Sequence, residues 1–165
     1  MRFVALLRGI NVGGHNKLPM ADLRALCADL GFTDVKTYIQ SGNVAFEAVQ
    51  DPAKALRAGI VERFGLTVPV VVRTRDQLRQ AQANNPFEVD DKMLHLGFMD
   101  RVADGSLLDP NRSPGDVFKV IGDVIYVRYG GPSHTSKLTL NWFEKQLGCT
   151  ATARNWRTVG RLLTL

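Results

Sequence analysis

Four short segments of the 165-residue chain hold the residue types that could do chemistry. The first is LLRGINVGGHNK, residues 6–17, with Arg8, Asn11, Gly13, Gly14 and Lys17 and no acid. Gly9 and Gly14 have the spacing of a phosphate-binding P-loop. That motif then needs Lys followed by Ser or Thr, and here His15 and Asn16 stand instead, with Lys17 two places late. The match to a nucleotide hydrolase therefore fails. Two readings remain. The glycines turn backbone N–H groups toward an anion, with Arg8 and Lys17 adding charge, or Gly13-Gly14 supply the positive φ of a turn.

The second segment is YIQSGNV, where Gln40, Ser41 and Asn43 crowd one turn. They either face a ligand or satisfy the turn's own backbone. The third is TARNWRTVGRLL. Read as one helix over Thr152–Leu163, it places Arg154, Arg157 and Arg161 on one face, Trp156, Val159 and Leu163 on another, and Thr152 at the cap. A row of arginines beside an aromatic suits phosphate contacts. It also suits a solvated face with Trp156 in the core. The fourth is PSHTSKL. Ser136 beside Lys137 lacks the spacing of a serine–lysine hydrolase, so Ser136 reads as a helix cap. His15 and His95 are isolated and no metal spacing occurs; Cys27 and Cys149 form no dithiol motif. No cofactor is expected.

The elements that must hold these residues follow from periodicity. RFVALL is apolar on both alternating sets, as in a strand covered on both faces. Met20, Leu23, Leu26 and Leu30 recur at helical spacing after Pro19. DVKTYIQ and NVAFEA read as strands joined at Ser41-Gly42. Asp51-Pro52 opens a helix that Gly65 stops, and LTVPVVVR is a strand whose Pro69 suits its start or a sheet edge. The order β-α-β-β-α-β is that of the ferredoxin-like plait. Beyond residue 74 the order partly recurs. A short helix at TRDQLRQAQANN precedes a strand at MLHLGFM. A short helix and loop over residues 100–116 lead to a hairpin across Gly122-Asp123, then helices at Ser136–Leu147 and Thr152–Leu163. Leu140, Phe143 and Leu147 face one way and Leu138 and Trp142 the other, so the helix at 136–147 should be covered on two sides. The fold expected is α+β, two ferredoxin-like halves (1–74 and 75–165) in one compact unit, the second degenerate.

Composition is that of a globular protein, with 45% hydrophobic and 22% charged residues. The apolar run Phe3–Leu7 is too short for a signal-peptide core or a membrane span, so a cytoplasmic location is expected. The net charge of +5 is uneven. Arg2, Arg8 and Lys17 face no acid within the first twenty residues. Arg128, Lys137, Lys145, Arg154, Arg157 and Arg161 face only Glu144 from residue 128 onward. If the basic ends meet, they make a patch for a phosphate-bearing partner.

VALLRGINVGGHNKLPMADLRAL, LGFTDVKTYIQSGNVAF, NPF, SKL and TARNWRTV together resemble the bacterial domain of unknown function 1697 family, almost end to end. The resemblance implies a two-part α/β-plait fold and carries no assigned activity. Its distinctive positions here are Arg8, Gly9, Asn11, Gly13, Gly14, Lys17, Gln40, Ser41, Asn43, Arg154, Asn155 and Thr158. The expected function is a binding module for a nucleotide or nucleic acid. Arg8, Lys17, Arg154, Arg157 and Arg161 would supply charge, Gly13 and Gly14 amide donors, and Asn11, Gln40, Ser41 and Asn43 orientation, with Asn155 a further ligand-binding candidate. The alternatives are an enzyme on a small anionic substrate in the same place, or a structural or oligomeric protein whose polar residues only staple loops. No membrane partner is expected, and oligomeric state is left open.

Overall fold

The computed structural model describes all 165 residues. The chain divides into two units, residues 1–79 with 161–165, and residues 80–160. No helix is long and apolar enough to cross a membrane. The fold is α+β, with two four-stranded antiparallel sheets and five α-helices.

The first unit holds β1 (Arg2–Leu7), α1 (Met20–Asp29), β2 (Thr33–Tyr38), β3 (Asn43–Glu47), α2 (Ala53–Phe64) and β4 (Val70–Thr74), followed by α3 (Arg75–Ala83). Its sheet order is β2-β3-β1-β4, so β1 is central and β4 is an edge. Every residue of β1 is buried, as its two-sided apolar pattern requires. Phe3, Ala5 and Leu7 join Val44 and Phe46 of β3 in a core closed by Leu23, Leu26, Leu56 and Ile60 from α1 and α2. Burying each of those leucine and isoleucine side chains contributes about 1.5–3 kcal/mol. Gly59 lets the two helices approach, since a Cβ there would lie 2.9 Å from Leu26 Cδ1. Pro69 stands just before β4, where its missing N–H costs no ladder bond, and its carbonyl accepts from the Arg8 amide at 3.0 Å.

The second unit holds β5 (Leu94–Met99), β6 (Val117–Ile121), β7 (Val124–Arg128), α4 (Leu140–Leu147), β8 (Ala151–Asn155) and the start of α5 (Trp156–Leu162). Its sheet order, β6-β7-β5-β8, repeats the first one strand for strand. Met99, Ile125, Val127, Leu138, Phe143 and Ala151 form the core beneath α4.

Three sequence expectations are corrected here. Residues 100–116 contain no helix. Asp104 and Asp109 each accept from the amide two residues on, at 2.9 Å, and such local bonds compete with helical ones. The helix expected from Ser136 begins only at Leu140. Tyr129 Oη donates to the Leu138 carbonyl at 3.0 Å, and Thr139, not Ser136, caps by accepting from the Trp142 amide at 3.1 Å. Its second apolar side is covered by Phe118, against Trp142, and by the Arg112 guanidinium 4.7 Å above the Trp142 ring. Third, Thr152–Asn155 is strand, not helix. The edge of β5 is completed by β8 in the register Met99↔Ala151 to His95↔Asn155, and that pairing overrides the helical spacing of the arginines.

Candidate functional site

Residues 11–16 form a miniature hairpin. The Asn11 amide donates to the Asn16 carbonyl at 3.1 Å and the His15 amide to the Val12 carbonyl at 2.9 Å. Gly13 and Gly14 are the two turn residues, at φ of 57° and 76°. A two-residue turn with positive φ at both positions matches the twist of a hairpin, and only glycine takes that conformation freely. The hairpin is exposed, and a Cβ on Gly14 would meet nothing within 4 Å. The opening loop is therefore a projecting finger, and α1 starts six residues beyond Gly14, not directly at the glycines.

The hairpin is fixed to the 39–42 turn. Asn11 sits at φ 55°, and its Nδ2 donates to the Leu18 carbonyl at 2.9 Å and to the Gln40 carbonyl at 2.8 Å. Its Oδ1 accepts from the Leu18 amide at 2.8 Å, and Leu18 itself is fully buried. Below, the Leu7 amide donates to the Gly42 carbonyl at 2.8 Å, continuing the sheet into the turn. Gly42, at φ 99°, would place a Cβ 2.7 Å from Leu7 Cβ and 3.0 Å from Ile10 Cδ1. Asn43 is fully buried, with Nδ2 donating to the Tyr38 carbonyl at 2.9 Å and to Ser41 Oγ at 3.1 Å. Asn16 Nδ2 closes the base of the finger on the Gly9 carbonyl at 3.0 Å.

The structure thus brings Asn11, Gly13, Gly14, Lys17, Gln40, Ser41 and Asn43 into one ridge at the end of β1, with Arg8 half-buried beside it. Asn11 and Asn43 are bracing groups. Lys17, His15 and the Gln40 side chain are exposed on the ridge. Two members escaped the sequence reading. Val12 and Ile39 are 63% and 52% exposed, and Ile39 sits at φ 49°. Positive φ in a β-branched residue is strained and persists only where neighbours impose it. An isoleucine between Tyr38 and Gln40 gives no sequence signal of this; for Val12, its place beside a glycine pair was the available hint.

Arg154, Asn155 and Arg157 belong to the second unit. Arg154 lies on β8, half-buried, and burial pushes its guanidinium down to about 10. Asn155 Oδ1 accepts from the Thr158 amide at 2.9 Å, so Asn155 caps α5 in place of Thr152, whose Oγ1 is buried without a hydrogen-bond partner. Arg157 and Arg161 are exposed one turn apart on α5. The three arginines therefore do not share a helix face.

Neither cysteine has the setting of a nucleophile. Burial pushes the Cys27 thiol up to about 12, and burial with Asp100 and Glu144 raises that of Cys149. His95 stands half-buried, its ring edge-on to Tyr129 and Nε2 2.9 Å from the Lys92 carbonyl. Burial holds it below the ordinary histidine value, against the raising effect of that carbonyl. Ser136 Oγ donates to Asp116 Oδ2 at 2.7 Å, and Ser113 Oγ donates to the same oxygen at 2.8 Å. Asp116 Oδ1 accepts from the Gly130 amide at 2.7 Å. This cluster ties the 100–116 loop to the segment before α4.

Fold and ridge define an α+β protein of two like-ordered antiparallel sheets, with a braced glycine finger at the end of its first strand. The chain belongs to a family described as protein of unknown function (DUF1697), whose model matches residues 1–126. Among solved structures it is similar to that of the conserved bacterial protein SP0830 from Streptococcus pneumoniae, with a TM-score of 0.74 and 22% identity over 99% of this chain and 97% of that one. At that identity the likeness speaks for the fold. No curated protein matches the chain.

Proposed function

We propose that the ridge is a binding surface for a phosphate-bearing ligand, with a nucleic-acid strand favoured over a free nucleotide. The carrying observation is the pair of hydrogen bonds that Asn11 Nδ2 donates to the Leu18 and Gln40 carbonyls, which fuses the finger and the 39–42 turn into one preorganised surface. On it stand Lys17, Gln40, His15 and the glycine amides, with Val12 and Ile39 as exposed apolar surface beside them. Cations and amides suit phosphate oxygens, and aliphatic surface suits a sugar or base face. A projecting finger fits an extended strand better than an enclosed small molecule. Residues 6–17 and 38–43 include no carboxylate, which favours binding over acid–base catalysis there.

The test is anisotropy of labelled single-stranded and duplex oligonucleotides, with a nucleoside triphosphate as competitor, across a salt series. Affinity for the strand should fall steeply with salt through counterion release, and Lys17→Ala should weaken it about equally for all sequences. Absence of binding to oligonucleotide and nucleotide alike at low salt would overturn the reading. Tight, salt-insensitive nucleotide binding alone would replace the strand with a small ligand.

A further inference from the structure

A second set of basic groups lies at the opposite end of β1. The strand runs from Arg2 to Leu7, about 17 Å at ~3.3 Å per residue, so this set is separate from the ridge. The β1–β4 register pairs Phe3 with Thr74 and so brings Arg2 beside the start of α3. Thr74 Oγ1 accepts from the Gln77 amide at 3.1 Å, and Gln77 Oε1 accepts from the Thr74 amide at 2.9 Å. This reciprocal cap fixes the first turn of the nine-residue helix. The Arg75 and Asp76 amides of that turn have no intrahelical acceptor. A hollow of about 210 Å³, room for several waters, is lined by Met1, Arg2, Thr74, Arg75 and Asp76.

Arg2 carries the inference. It is only 8% exposed, and its Nη1 donates to the Asp34 carbonyl at 2.7 Å and lies 3.1 Å from Asp34 Oδ2. Its Nε and Nη2 are buried and have no hydrogen-bond partner. Those two N–H groups form one edge of the guanidinium, the fork that grips a carboxylate or phosphate side-on. Arg75 adds a third such donor. Its Nη2 donates to the Leu165 main-chain oxygen, and its Nε is buried and unpartnered. Buried, unpaired donors on charged groups are costly, and an oxyanion answers all three. The carboxylates nearby meet only Nη1 of Arg2, Asp34 at 3.1 Å and Glu47 at 4.0 Å, and each also has another cation: Lys36 lies 3.8 Å from Asp34 and the N-terminal ammonium 3.2 Å from Glu47, while Asp76 pairs with Arg79 at 3.0 Å.

We infer that this hollow is an oxyanion site, in which the Nε–Nη2 edge of Arg2 and Nε of Arg75 hold the phosphate or carboxylate head of a small molecule at the start of α3. The full chain would be titrated with inorganic phosphate, and separately with citrate, at constant ionic strength set by chloride, reading thermal unfolding and calorimetric heat. Saturable stabilisation by one of the two probes is expected, and which one responds distinguishes the two heads. Arg75→Gln should weaken it at least tenfold, and so should Arg2→Lys, which keeps the charge but loses the fork. No saturable effect of either probe beyond the chloride control would overturn the inference. So would equal binding by wild type, Arg75→Gln and Arg2→Lys. Lys17→Ala separates the two sites. Stabilisation lost there and kept in Arg75→Gln assigns the anion to the ridge and overturns the hollow, leaving the proposed function standing.

Discussion

Glycine serves two different ends in the segments that build the ridge. Gly14 needs its positive φ but has open space around it, whereas Gly42 needs both its positive φ and the room that a Cβ would take from Leu7 and Ile10. The two should therefore respond differently to alanine. Gly14→Ala carries only the backbone penalty of a side chain at positive φ, about 1–2 kcal/mol. Gly42→Ala adds a clash with a buried side chain, and its total should exceed 2 kcal/mol, on the scale of overpacking at about 1–3 kcal/mol plus the backbone term. Urea unfolding of the two variants checks the order, and equal losses would contradict the packing seen at Gly42. At this scale the sequence was legible where side-chain chemistry is local. Asn43, Gly13 and Gly14 could be read as turn residues. Asn11 could not be seen as the brace, because its partner Gln40 lies 29 residues away and is brought to it by the pairing of β1 with β3.

The second unit lacks a helix between β5 and β6, and a loop takes its place, pinned by Asp116. Burial opposes the charge on Asp116, but the Gly130 amide and the Ser136 and Ser113 hydroxyls outweigh it and hold the carboxyl below its ordinary value. A depressed carboxyl stabilises the fold above the unfolded value, about 3.9, and that contribution is lost as pH falls through the folded one. Amide exchange at Gly130 and Leu138 should therefore speed up as pH falls below about 4, beyond the intrinsic change in exchange rate. Asp116→Asn should show the faster exchange already at neutral pH. Unchanged protection in that variant would mean that the loop is held by other contacts. Periodicity failed in this unit for identifiable reasons. The arginine spacing in TARNWR is helical, but β5 needs a neighbour on its open side and takes residues 151–155 as strand. Ser136 looked like a cap, yet its hydroxyl is committed to Asp116.

Across the whole molecule, large apolar side chains are exposed at several places, and two of the most exposed stand in the same loop. Leu107 is 95% exposed and Val102 is 75% exposed, in a segment without regular structure. Brief chymotrypsin treatment should cut first after Leu107, before any site within the strands, because cleavage tracks local opening. First cuts within β5 or β7 would contradict the order of stability implied by their burial. The gross plan was the most legible level: alternating strand and helix periods in the first 74 residues fixed the element order that the sheet then realised. Strand order was not legible, since it depends on which edges meet and not on any one segment.

The repeated strand order also bears on how the chain folds. In each sheet the second and third strands form a hairpin of near neighbours, β2 with β3 and β6 with β7, and such loops close quickly. The central strand joins the sheet next to the third, and the last pairing, Phe3 with Thr74 in one sheet and Met99 with Ala151 in the other, spans the greatest stretch of sequence. Each sheet thus combines one short-range hairpin with one pairing of long range. By loop length the β6–β7 hairpin, closed by the two residues Gly122-Asp123, should close faster than β2–β3, and in both sheets the fourth strand makes the pairing that loop closure should delay most.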